Sequence, residues 1–427
     1  MTSEVLIFNK RGVVVAADSA VTTSARSSNG RPRYAKTATK IFELANSGNV
    51  AIAIFGGAAI DQVPWEVAIK LYRKSLGTAQ LPTVAAYADS LLAFLAANPA
   101  LFPPALLDGF AVQQFEQAAV EVMKRAGAID GRCADVNATP AEHEAGWTVA
   151  QPQLLAQLIS CGTAAPLTQV ALDEVLQEIA PRWDAHLAQY VQDFPTLSGI
   201  NLGQLAELAH RLRYAEPDSI LGYTGIAVVG YGYSEIFPGY RLLHVHGHVG
   251  SELYVSGNKS DCISHSKGSL IVPLAQKSMI DLFTDGFGFS LWSIIEGAGR
   301  DSLNGLVQDL QTQGVDVAGV DVAALVSARH SEFMQGWTRK NWKENYDPLM
   351  EVLTTLSVEE LAHLAETRLL LQSLKERVTS ASEEVGGPID VAALTKSEGL
   401  VWLKRKHFFD AGMNVRYVKR LETDMQL

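Results

Sequence analysis

The chain has 427 residues, 48% of them hydrophobic and 19% charged, which is ample for a large core. A formal charge of −11 argues against a nucleic-acid role, which normally shows as a basic patch. The sequence has neither the long apolar run of a membrane span nor the basic-then-apolar start of a signal peptide, and its three scattered cysteines (Cys133, Cys161, Cys262) suit a reducing cytoplasm better than a disulfide framework or a zinc site.

Residues 3–8 and 12–17 read as two short β-strands joined by the turn Asn9-Lys10-Arg11-Gly12. The stretch 22–36 is rich in Ser, Thr, Arg and Gly and contains Pro32, so it reads as an exposed loop. Strands follow at 40–44 and 50–55, ended by Gly56-Gly57, and Pro64 stands in the first turn of a helix over 62–75. From 78 to 216 the pattern is helical. A strand pattern resumes after it, so 78–216 reads as a helical insertion within one domain spanning 1–427. Strands are expected at 224–230, 240–247 and 251–256, and helices at 271–285, 288–298, 318–339 and 357–378. The last strands are placed at 389–396 and 399–405. Strand groups at both chain ends, separated by helices, imply an α+β sandwich of sheets covered by helices.

The residues that could carry chemistry begin at the second position. With Met1 removed, Thr2 would hold a hydroxyl and an α-amine on one residue, a nucleophile with its own base. The amine, with a pKa of about 7.7–8.0 in model peptides, could take the hydroxyl proton at working pH. Asp18 follows sixteen residues later, at the end of the apolar run Gly12–Ala17, and Lys40 opens the segment Lys40-Ile41-Phe42. A Lys buried near Thr2 would need an anionic partner, and Asp18 is the natural one. The expectation is that the two meet beside Thr2, with the hairpins 3–17 and 40–55 in one sheet.

Thr2, the sixteen-residue spacing to Asp18, the Lys40-aliphatic-Phe start and the apolar run Val50–Phe55 into Gly56-Gly57 together resemble the N-terminal-nucleophile (Ntn) hydrolases of the proteasome β-subunit type. So does the late segment Gly386-Gly387-Pro388-Ile389-Asp390 followed by Ser397-Glu398-Gly399-Leu400-Val401-Trp402, which looks like that family's closing hairpin. The likeness is nearer to bacterial proteasome-like proteins than to true proteasome subunits. It implies a four-layer αββα sandwich and catalysis by Thr2, Asp18 and Lys40. It also implies an oxyanion donor from the backbone of Ala53, Ile54 or Gly56, and Ser382 in the place of a supporting serine. Two stretches depart from the family pattern. The Asp–Ser pair expected before the final glycines is replaced over Thr379–Gly387, where Thr379, Glu383 or Glu384 stands in for the Asp. The Gly-Ser-Gly stretch has only Ser264-His265-Ser266-Lys267-Gly268-Ser269 in its region.

The resemblance implies a threonine-type amide-bond hydrolase, with a peptide as substrate, no cofactor and self-association, a ring included. Alternatives are a catalytically silent scaffold of the same fold, or an amidase or acylase for a small molecule. His244, His246 and His248 alternate on an expected strand and would share one face, a spacing that could hold zinc or copper. With no carboxylate or cysteine at ligand spacing, they read as a strand surface and no metal is expected. Lys404-Arg405-Lys406-His407 reads as a solvated or interface patch.

Overall fold

The computed structural model describes residues 3–26, 32–35, 37–46, 48–191, 194–275, 278–317, 319–379, 386–406, 412–416 and 419. The chain opens with β1 (Ser3–Asn9) and β2 (Val13–Ala17), followed by the paired β3 (Val21–Arg26) and β4 (Pro32–Ala35). Next come β5 (Ile41–Glu43), β6 (Val50–Phe55) and the two-residue β7 (Ala59–Ile60) and β8 (Val63–Pro64). The helices α1 (Trp65–Leu76), α2 (Val84–Ala96), α3 (Pro104–Ile129), α4 (Pro140–Cys161), α5 (Gln169–Glu174), α6 (Ala180–Ala188) and α7 (Leu202–Ala215) follow. Strands return as β9 (Thr224–Gly230), β10 (Gly239–Val249), β11 (Glu252–Cys262) and β12 (Ser269–Ala275). After α8 (Ser278–Asp285), α9 (Phe289–Thr312), α10 (Val322–Asn341), α11 (Asp347–Thr355) and α12 (Val358–Thr379), the chain closes with β13 (Asp390–Thr395) and β14 (Gly399–Lys404).

Two five-stranded antiparallel sheets form the centre, ordered β12-β1-β2-β13-β14 and β11-β10-β9-β6-β5. Their facing sides share one core. Leu6 and Phe8 of β1 and Val13, Val15 and Ala17 of β2 pack with Ala51, Ala53 and Phe55 of β6 and Ala227 and Val229 of β9. The alternate residues point outward. Val5, Ile7, Val14 and Ala16 meet Leu353 of α11 and Leu361, Ala365 and Leu369 of α12. On the other side, Val50, Ile52 and Ile54 meet Trp65 and Ile69 of α1 and Tyr87 and Leu91 of α2. Covering both faces explains why β2 and β6 are apolar at every position, and β1 from Val5 to Phe8, instead of alternating with polar residues. The β1–β2 turn is the expected one: Asn9 N–H donates to Gly12 O, and Asn9 Oδ1 accepts from Arg11 N–H. A Cβ on Gly12 would lie 2.7 Å from the Leu394 carbonyl, so β13 can approach only a glycine there.

The mixed α and β architecture with antiparallel sheets follows the sequence reading, and several details differ from it. The hairpins 3–17 and 40–55 belong to different sheets. Each has an apolar face to bury, and stacking the two faces buries both. Within the helical region 78–216, α2 belongs to the layer over the second sheet, whereas α3, α4, α6 and α7 have a separate core around Phe115, Trp147, Trp183 and Leu208. The segment 22–36 holds the β3–β4 pair, and the helix expected over 271–285 is preceded by a strand that runs to Ala275, with the helix α8 starting at Ser278.

Candidate active site at Asp18 and Lys40

Asp18 follows the last residue of β2. In the β1–β2 ladder Ala17 stands opposite Glu4, which sets Asp18 beside Ser3. Asp18 N–H donates to Ser3 O at 3.1 Å, and Ser3 N–H donates back to the side-chain Oδ1, also at 3.1 Å. The carboxylate thus completes the hairpin at its open end. Lys40 precedes β5 in the opposite sheet, with its carbonyl accepting from Ile54 N–H. From there its Nζ crosses between the sheets and donates to Asp18 Oδ1 at 2.5 Å. Both side chains are almost fully buried, at 2% and 3% exposure, so the pair lies in a low-dielectric setting where an unpaired charge would be costly. A third donor comes from the far end of the chain, where Gly386 N–H reaches Asp18 Oδ2 at 2.9 Å. Ser19 extends the same link, with its N–H donating to Gly386 O and its hydroxyl to Pro388 O. With three donors on two oxygens, Asp18 serves to hold Lys40 and to fix the Ser3 amide, which is the amide joining Ser3 to Thr2.

Thr2 and Ser382 lie outside the described residues, as do Glu383, Glu384 and His407. Of the oxyanion candidates, Ile54 is removed because its N–H is committed to Lys40 O. Ala53 sits within a strand paired on both sides, opposite Ile41 and Ala227. Since the Ile54 amide points to β5, the Ala53 amide points to β9 and is also a ladder donor. Gly56 remains. The β6–β9 pairing ends at Phe55 and Gly225, and Gly56 follows it exposed with φ of 79°.

Two contributors were not singled out from sequence. One is the backbone N–H of Gly386, a donor that carries no side-chain signal. The other is Glu4, fully buried on β1 with Oε1 3.9 Å from Lys40 Nζ. Among the described residues neither Glu4 oxygen has a hydrogen-bond partner. Burial pushes the Glu4 carboxyl well above the ordinary carboxylate range; Lys40 opposes the rise and Asp18 adds to it. The available signal was a carboxylate interrupting an apolar strand, in step with Leu6 and Phe8 of the inter-sheet face.

The other expected features fall elsewhere. Ser269 pairs with Asn9 at the opposite end of β1 from Ser3, so the stretch Ser264–Ser269 sits away from Asp18. It is Ala275, at the other end of β12, that pairs with Ser3. Thr379 ends α12, and its hydroxyl donates to Lys375 O. Two of the three histidines share a face, His244 and His246 both lying against Tyr223, and His248 does not join them. The register shift between Val245 and Gly247 puts an extra residue on β10 and breaks its alternation before His248. His244 stacks on Tyr223, His246 lies 3.0 Å from Asp218, and His248 Nδ1 bonds Asp61 Oδ2 at 2.7 Å. Both carboxylates are distant in sequence, which hid them from a spacing argument. Among the described residues no three His, Cys, Asp or Glu side chains form a metal-binding group. The basic run after β14 is not simply solvated: Lys406, by N–H and Nζ, binds the buried Asp390, Lys404 pairs with Glu366, and Arg405 lies over the Trp402 ring.

No family model matches the chain, and no curated protein matches it.

Proposed function

We propose that the chain is a threonine-type amide-bond hydrolase of the proteasome-like Ntn class, acting on peptides with Thr2 as nucleophile once Met1 has been removed. The observation that carries this reading is the buried Asp18–Lys40 pair, anchored to the amide of Ser3, the residue after Thr2. The pairing joins two of the positions that the sequence resemblance singles out, Asp18 and Lys40. The helix–sheet–sheet–helix layering supports the αββα sandwich that goes with this reading.

In the proposed mechanism, Thr2 Oγ attacks the amide carbonyl and the Thr2 α-amine takes its proton. The Lys40 ammonium, held by Asp18, lowers the cost of negative charge on the attacking oxygen and disfavours protonation of the nearby amine. Gly56 N–H is the candidate donor to the oxyanion. Collapse of the tetrahedral intermediate, with the Thr2 α-ammonium giving its proton to the leaving nitrogen, expels the amine and leaves an ester on Thr2, which water then hydrolyses with the freed α-amine as base.

The test pairs an intact-mass measurement with a survey of peptide cleavage. The proposal expects a mature chain beginning at unmodified Thr2 and cleavage that is lost in Thr2→Ala. A retained Met1 or an acetylated Thr2 would remove the proposed base and the reading with it. Cleavage of small amides but not peptides would shift the assignment to an amidase or acylase.

A further inference from the structure

Lys40 is one buried cation set between two buried carboxylates, Asp18 at 2.5 Å and Glu4 at 3.9 Å. One ammonium can neutralise one carboxylate. Asp18 is also supplied with two backbone donors, while among the described residues both oxygens of Glu4 have none. A fully buried carboxylate without donors is far costlier than a buried neutral acid. The two acids are therefore unequal, as in other carboxylate pairs whose surroundings separate their roles.

We infer that Glu4 is a positioning residue that works in its protonated form, leaving Lys40 wholly to Asp18, and that its ionisation shuts the site down at alkaline pH. Loss of the proton would place a second negative charge beside Lys40, drawing Nζ from Asp18 and setting anionic charge where the attacking oxygen becomes negative. The other described groups in its row of the sheet do not offset this. Across the first sheet, its row runs Leu274, Glu4, Ala17, Asp390. Leu274 and Ala17 are apolar, and Asp390 is occupied by Lys406. Among the described residues, Lys40 and Asp18 are the charges that act on Glu4.

The catalytic arm of this inference rests on the threonine-hydrolase reading; a second arm is independent of it. In the first, kcat/KM is followed from pH 6 to pH 10 for wild type and Glu4→Gln, the amide imitating the neutral acid. Wild type should lose about tenfold or more on the alkaline side, and the variant, whatever its absolute rate, should show no such fall. In the second, the infrared difference between wild type and Glu4→Gln should contain a protonated-carboxyl band at neutral pH that disappears as pH rises. The band requires no activity, so a chain that cleaves nothing but shows it counts against the hydrolase reading and upholds Glu4. The inference is overturned by absence of the band at neutral pH, by the same alkaline fall in both proteins, or by a Glu4→Gln chain that cleaves at no pH while wild type does. A variant that fails to fold also overturns it, since Gln is close in shape to the acid it replaces.

Discussion

Lys40 is the residue on which the site's electrostatics turn. Replacing it with Met removes the charged partner of Asp18 and leaves a buried carboxylate with only backbone donors. Breaking a buried pair from one side typically costs about 3–5 kcal/mol. Lys40→Met should therefore lower the denaturant midpoint clearly as well as abolish activity; unchanged stability would mean that the pair is not formed in solution. Glu4 predicts the opposite sign. Its folded-state pKa is raised, so its contribution to stability is fully present below the unfolded value of about 4.3 and is lost as pH rises toward the folded value. Glu4→Gln should then gain melting temperature over wild type progressively above that pH and show little difference below it. A constant difference across the range would contradict this. Asp18 and Lys40 were legible in the sequence because the resemblance fixes both by position. Glu4 was not, because alternation says which face a residue takes but not which charge waits on the opposing sheet. Gly386 contributes through its backbone, which composition cannot reveal.

Elements were legible where their pattern was long or their turn chemistry clear, as with β1, β2, β6 and α12. The strand β12 was misread because Leu270-Ile271-Val272-Pro273-Leu274-Ala275 is a short apolar run that does not distinguish a buried strand from a helix start. As the edge strand of its sheet it can also hold Pro273. In β10 the expected alternation of histidines failed at the irregularity near Gly247, where φ is 111° and an added Cβ would lie 2.3 Å from Asp61 Oδ1. The bundle of α3, α4, α6 and α7 yields a prediction of its own. Trp183 packs at 4.7 Å against Phe115 inside a core that shares no residue with the inter-sheet core. Trp183→Ala should cost about 3–5 kcal/mol. Hydrogen exchange should rise in 104–215 and stay near wild type in β1, β2 and β6. Equal loosening of the sheets would show that bundle and sandwich unfold as one unit.

For the whole molecule, the order of strand groups along the chain was enough to expect two covered sheets, while their assignment to separate sheets was not. Two hairpins with apolar faces can lie side by side or face to face, and only the packing of the complete chain decides. Self-association remains a proposal drawn from the resemblance, and one structural feature supports it. The helix α9 has no buried residue, and Phe289, Leu291, Ile294 and Leu306 stand exposed along it, with Leu325 and Phe333 on α10. A concentration of exposed apolar side chains on neighbouring helices is a candidate contact surface. Light scattering should report a species larger than the 46.1 kDa chain, and charged substitutions at Ile294 and Phe333 should reduce it. A monomer throughout the micromolar range would count against assembly.

The most direct test of the proposed chemistry is labelling with a peptide epoxyketone. Ring closure on this probe needs a hydroxyl and an adjacent amine, so it interrogates both halves of the Thr2 mechanism at once. The account predicts that the peptide covering residues 2–10 gains the inhibitor mass and that Thr2→Ala abolishes the gain. A probe shown to reach the site that leaves Thr2 unmodified, in a chain that also cleaves no peptide, would contradict the account and favour a silent scaffold of the same fold.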